Sequence, residues 1–162
     1  VAANMGNRSF VIEADIKREK NESGVLLAIG GSNVGLSLFI KDEKLMFDYN
    51  IFYDHKIIES EVTVPEGNVK LGVYLERKDP EGVVTLLIDG EEAGKMNIPF
   101  VIRILGSTGM DIGRDSLSPV SEQYEAPFPF EGEITQVAVH LPERGNTIEQ
   151  SFLAMRSEMG ME

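Results

Sequence analysis

Apolar and polar residues alternate with a period of two along much of the chain, the signature of half-buried β-strands. Over residues 9–16, Phe10, Ile12, Ala14 and Ile16 share one face, while Val11, Glu13 and Asp15 occupy the other, expected to be the solvent face. Leu36, Leu38 and Ile40 repeat the pattern. After the polar turn 41–44, so do Leu45, Phe47 and Tyr49, which predicts a hairpin. Further strands are expected around Leu71, Val73 and Leu75, around Val84, Leu86 and Ile88, and around Thr135, Val137, Val139 and Leu141, with a weaker one over 56–62. Asp89-Gly90 accepts positive φ at both centres of a type I′ turn, so residues 92–96 should pair back on the preceding strand. Residues 25–29 are apolar without interruption, which predicts a strand covered on both faces.

Short strands separated by turn chemistry describe an all-β, antiparallel β-sandwich or jelly roll. Residues 1–145 are expected to form it. Only the tail, 146–162, reads as a short C-terminal helix: Asn146 is a cap with Glu149 as reciprocal partner, and Ile148, Phe152, Met155 and Met159 form one stripe. That stripe is expected to pack on the sandwich, with docking on another domain or chain as the alternative. Residues 100–105 are apolar without a clear period, and 111–129 read as a loop.

Composition narrows the function. With 42% hydrophobic and 26% charged residues, 162 residues fit one domain with a core of useful size. A formal net charge of −12 argues against nucleic acid or an anionic membrane as partner, because both demand a basic surface. No apolar run approaches the roughly 18 residues of a membrane span. Without cysteine there is no thiolate nucleophile and no Cys-ligated zinc, and the redox compartment cannot be read. A chain opening at Val1 is expected to be an excised module.

Catalytic constellations are sparse. His55 and His140 are the only histidines, and no Gly-x-Ser-x-Gly turn accompanies them, so both are expected to be ordinary surface or edge residues. The frame from Gly30 to Gly35 lacks the Lys of a phosphate-binding loop and reads as a hairpin turn. Glu13-Ala14-Asp15 begins the carboxylate pattern of sandwich glycosidases, but Lys17 and Arg18 stand where the last acid belongs. Carbohydrate binding without catalysis stays open, although the chain has no Trp and only Tyr49, Tyr53, Tyr74 and Tyr124 as tyrosine platforms.

The most individual stretch runs from residue 111 to 134. Three prolines stiffen it, Gly113 and Gly132 flank it, and Val120, Tyr124, Phe128 and Phe130 are its anchors. Asp111 and Asp115 are candidate ligands for Ca²⁺, which takes several oxygens; equally, Arg114 can pair with one of them and fix the loop without metal.

Its pattern, Asp-x-Gly-x-Asp-x-x-x-Pro-Val-x-x-x-Tyr-x-x-Pro-Phe-x-Phe-x-Gly, resembles the C-terminal region of bacterial arylsulfatases. Asp111, Gly113, Asp115, Pro119, Val120, Tyr124, Pro127, Phe128, Phe130 and Gly132 carry the resemblance, with upstream matches in the same order between Asn7 and Pro99. The resemblance implies a concanavalin A-like jelly roll that follows a catalytic domain, packs on it, and shapes its active-site entrance or an oligomer interface. It implies no catalytic residue here, because this chain has neither cysteine nor the Ser-x-Pro-x-Arg motif that sulfatases modify. The expected partner is a sulfatase catalytic domain of the same polypeptide. The expected binding surface is the loop bearing Asp111, Gly113, Arg114, Asp115, Pro119, Val120, Tyr124, Phe128 and Phe130. No cofactor is expected beyond the calcium alternative. The other reading is a free-standing carbohydrate- or ligand-binding sandwich.

Overall fold

The period-two alternation resolves into two antiparallel sheets stacked face to face. The computed structural model describes residues 8–101, 109–116 and 118–142. The first sheet runs, edge to edge, through β10 (Glu133–His140), β1 (Phe10–Arg18), β6 (Gly67–Lys78), β7 (Glu81–Ile88) and β8 (Glu91–Ile98). The second runs through β5 (Asp54–Thr63), β4 (Lys44–Ile51), β3 (Val34–Lys41), β2 (Gly24–Gly30) and β9 (Met110–Ile112). The all-β sandwich expected from the periodicity is therefore present. The helical tail over 146–162 and most of the aperiodic stretch 100–105 lie outside the described residues.

The alternating sets meet in the core. Phe10, Ile12, Ala14 and Ile16 of β1 join Leu71, Val73 and Leu75 of β6 and Val84, Leu86 and Ile88 of β7. Facing them are Leu36, Leu38 and Ile40 of β3 and Leu45, Phe47 and Tyr49 of β4. Burying a side chain of this size contributes on the order of 1.5–3 kcal/mol, which makes this layer the main driving force for folding.

β2 breaks the alternation for two reasons. A register shift between Val25 and Leu27 lets Leu26 and Leu27 both join the core. Val25 and Ala28 instead face outward, into a second buried cluster with Phe39 and Met46. The strand is thus covered on both faces, as its uninterrupted apolar run predicts. The weak strand expected over 56–62 spans Asp54–Thr63, and the three-residue β9 lies inside the stretch read as loop.

One expectation on β1 needs correction. Glu13 does point away from the core, but it is buried rather than solvated. Its cross-strand neighbours are Gly72 and Ala138, small residues that let the side chain lie down along the sheet. Arg18 sits at a position where a glycosidase would need an acid, and here it has a structural task. Its side chain is fully buried; Nε donates to the Glu22 carbonyl at 3.2 Å and one terminal nitrogen donates to the Val64 carbonyl at 2.8 Å. The other donates to Glu43 Oε2 at 2.6 Å. Glu43 belongs to the tight β3–β4 turn, where Asp42 and Glu43 both have positive φ. One guanidinium therefore ties the end of β1 to the rim of the opposite sheet.

Arg18→Met should lower the free energy of unfolding by about 3 kcal/mol, because it strands two carbonyls and the Glu43 carboxylate. Arg18→Lys should recover only part of that loss, since an ammonium cannot span the three acceptors with a planar fork. Urea denaturation of the three proteins checks this; a change under 1 kcal/mol for Arg18→Met would refute the clamp.

Candidate functional site

The segment from Gly113 to Phe130 does not project from the sandwich. Its described residues, 113–116 and 118–130, lie across the outer face of the second sheet and cover it. Phe39, on β3, is the floor: its ring packs edge-on against Tyr124 at 5.0 Å and against Phe128 at 6.5 Å, and Tyr124 stacks on Phe128 at 5.1 Å. Val120 is fully buried in the same cluster. Close approach is possible because Gly24, at the start of β2, has no side chain. A Cβ there would stand 2.3 Å from the Pro129 carbonyl oxygen. Val25 then donates its N–H to the Phe128 carbonyl at 2.9 Å, and Phe130 donates to Gly113 at 3.0 Å.

Polar groups fix the position of this cover. Asp115 is 1% exposed, and its Oδ2 accepts from the Val120 N–H at 2.8 Å and from the Tyr124 hydroxyl at 2.6 Å. Since the phenol proton goes to Asp115, the Ser37 hydroxyl, 2.9 Å away, donates to Tyr124. Burial, followed by the hydrogen bond to Asp115, pushes the Tyr124 pKa far above its ordinary value. Asp111 accepts from the Ser116 N–H at 2.9 Å. Both aspartates are thus held by the segment's own backbone, and Arg114 is exposed. Among the described residues no group of three or more His, Cys, Asp or Glu is arranged to hold a metal ion.

A second set of polar groups ties the segment to β4 and β5. Asp48 is fully buried, and His55 Nδ1 lies 3.0 and 2.8 Å from its two oxygens. His55 Nε2 lies 3.1 Å from Glu122 of the covering segment. Ser121 also hydrogen-bonds Asp48. Desolvation raises the Asp48 pKa, while the bonds from Ser121 and His55 oppose that rise. Asn50, also fully buried, donates to the carbonyls of Ser32 and Val120 at 2.9 and 3.0 Å. His55 and His140 both lie on edge strands, β5 and β10, as expected for edge histidines, but His55 is in addition half-buried and doubly engaged. Glu13 and Asp15 make no paired-carboxylate site: Glu13 is buried and Asp15 Oδ1 contacts Lys70 Nζ at 2.5 Å.

Of the loop residues singled out from the sequence, Asp115, Val120, Tyr124, Phe128 and Phe130 face inward as anchors, and Gly113, at φ +80°, makes the bend after β9. Arg114 and the rim about Pro119 remain at the surface. Sequence reasoning counted Tyr53 among four tyrosine platforms but did not set it and Phe52 beside the covering segment; both stand at the adjoining end of the sandwich. Phe52 and Tyr53 form the whole two-residue turn between β4 and β5, with φ of 49° and 71° and side chains 63% and 68% exposed. A type I′ turn ordinarily carries Asn-Gly or Asp-Gly. The available signal was that an alternating strand ending near Tyr49 and another beginning near Lys56 leave little chain between them.

No protein-family model matches the chain, and no curated protein matches it in sequence. Solved structures do. CBM40 of the Ruminococcus gnavus IT-sialidase, bound to α2,3-sialyllactose, superposes with a TM-score of 0.68 at 12% identity, covering 94% of this chain and 85% of that one. The fold is a concanavalin A-like β-sandwich. Mouse laminin α1 domains LG4-5 match at TM-score 0.62 and 12% identity, covering 82% of this chain and 36% of that one. The SAP-like pentraxin of Limulus polyphemus matches at 0.51 and 16%, covering 82% and 63%.

Tyr124→Phe should cost about 1–3 kcal/mol, because it removes one of the two donors to the buried Asp115 carboxylate. It should also flatten the alkaline limb of stability. A phenol whose pKa is raised by folding favours the native state below the unfolded pKa, near 10, and loses that contribution as pH climbs above it. Relative to the parent protein, the slope above pH 10 should shrink by up to about 1.4 kcal/mol per pH unit, read from urea melts between pH 8 and 11. An unchanged slope would mean that Tyr124 ionises freely.

Proposed function

We propose that this chain is a non-catalytic recognition module of the concanavalin A-like class, and that its ligand is a glycan. The observation that carries the reading is the use made of the polar groups around segment 113–130. Asp115, Tyr124, Ser37, Asp48, His55 and Asn50 are engaged in fixed hydrogen bonds that hold a rigid surface. No hydroxyl among them is paired with a free base, the arrangement that nucleophilic chemistry requires. The adjoining end offers to solvent the rings of Phe52 and Tyr53 and the amide of Asn33, with carboxylates beside them. The likeness to a module solved with sialyllactose bound supports the same class of ligand.

A panel of neutral and sialylated oligosaccharides, titrated by calorimetry and thermal shift, tests this. At least one member should bind with measurable heat and a higher melting temperature. A panel with no response would overturn the reading, and turnover of an aryl sulfate by the purified chain would overturn its non-catalytic half.

A second reading rests on the arylsulfatase-like pattern: the module belongs to a sulfatase polypeptide and packs on its catalytic domain. The residues that carry the pattern are those that build the cover, Asp115 and Val120 through Tyr124 to Phe130, so the likeness reflects how the sheet is sealed. A Cys/Ser-x-Pro-x-Arg motif in the coding sequence upstream of Val1 would support this parentage; a stop codon immediately upstream would sink it.

A further inference from the structure

The Phe52–Tyr53 turn combines two features that rarely coincide. Left-handed φ at a bulky L-residue is disfavoured by its Cβ, and a large apolar side chain turned to water gains nothing from burial. The sandwich nevertheless holds both residues in this state. Tyr53 donates its N–H to the Asn33 carbonyl at 3.1 Å and to Asn50 Oδ1 at 3.0 Å. Asn50 is itself buried and bonded to Ser32 and to Val120 of the covering segment. The turn is therefore anchored through one amide to the β2–β3 turn and to the cover, which makes its conformation part of the rigid body. Backbone strain kept in place by surrounding structure is a mark of a functional surface. Of the four tyrosines, Tyr49 and Tyr74 are in the interior, Tyr124 is in the cover, and Tyr53 alone has its ring in solvent.

We propose that this turn is the contact platform for the ligand, and that the ligand is an uncharged pyranose sugar. The inference rests on the glycan reading above and names its site and chemical class. An exposed aromatic face complements the C–H face of a pyranose, and the rigid turn forfeits little entropy on binding. Hydroxyl partners are at hand: Asn33 is exposed beside Tyr53, and Ser118 reaches the same end through its bond from the Ser32 N–H at 3.1 Å. Charge decides the class of sugar. Near the turn, Lys56 is paired with Asp54 at 3.4 Å, and the His55 ring lies between Asp48 and Glu122, whose side chain is largely exposed. The lysine there is already matched by a carboxylate, Glu122 adds an exposed one, and the formal charge of the whole chain is −12. A sialylated or sulfated sugar would bring its charge to an already negative surface. On this point the chain departs from the sialyllactose-bound module whose fold it shares.

The test uses the full chain, with lactose, cellobiose and N,N′-diacetylchitobiose as neutral probes and α2,3-sialyllactose as the anionic one, at low salt. At least one neutral disaccharide should bind, and at least tenfold more tightly than sialyllactose. Tyr53→Ala should weaken that binding at least tenfold. Phe52→Asn/Tyr53→Gly installs the favoured turn residues, so it should lose binding equally while melting at or above the parent temperature, which separates loss of the platform from loss of the fold. Neutral-sugar binding that survives both variants would overturn the site and leave the glycan reading standing. Tighter binding of sialyllactose would overturn the uncharged class. A double variant that melts lower would remove the strain on which the platform rests. Silence from all four sugars would overturn the glycan reading itself.

Discussion

The structure depends on the covering of one sheet face. Phe39, Met46, Val25 and Ala28 point outward from the second sheet and would lie in water if segment 113–130 were absent. Tyr124 and Phe128 close over Phe39, and the Tyr124 hydroxyl reaches the Asp115 carboxylate, so that the apolar lid and its polar latch share one side chain. Much else follows from this contact. Gly24 is small so that Pro129 can pass, β2 is apolar on both sides, and Asn50 and Asp48 are buried because the cover passes above them.

The division between what could and could not be read from the sequence follows the range of the interactions. Strands with one wet face announce themselves by alternation, and β1, β3, β4, β6 and β7 lie where their apolar residues predict. The long apolar run of β2 correctly signals two covered faces. The identity of its cover was not legible, because Tyr124 meets Ser37 across 87 residues and no local pattern encodes that pairing. Along the outer faces of β3 and β4, Ser37 alternates with Phe39 and Met46 with Asp48, a mixture that reads as neither buried nor exposed. Glu13 was misjudged, and the task of Arg18 went unread, for a related reason. A charged side chain is assigned to solvent by default, and only the fold shows three acceptors converging on one guanidinium.

The same limit applies to the site. The anchors Val120, Tyr124, Phe128 and Phe130 were recognisable as anchors, but a sequence does not say which surface they hold. Phe52 and Tyr53 lack the Asn, Asp or Gly that usually marks a type I′ turn, and only the short gap between two alternating strands points to one. Their propensities favour strand, and a reader of propensity would extend β4 into β5 without a break. The turn exists because the register of β4 against β5, Ile51 opposite Asp54, leaves two residues to reverse the chain. Tertiary pairing overrides local preference there, and such conflicts concentrate where function is served.

Why the cover is fastened by buried polar groups, when apolar residues would seal the sheet more cheaply, has a physical answer. Apolar contact is non-directional and does not by itself fix how the cover is seated on the sheet. Asp115 accepting from Val120 and Tyr124, and His55 bridging Asp48 to Glu122, satisfy their bonds in a single alignment. Burial raises the Asp48 pKa and the bonds from Ser121 and His55 oppose that rise, so what this latch supplies above all is a specified position. The same alignment places the Val120 carbonyl against Asn50, and Asn50 beneath Tyr53. A slip of the cover would therefore release the aromatic turn. The polar latch and the strained turn form one mechanical unit, in which a buried set of hydrogen bonds sets the geometry of an exposed pair of rings.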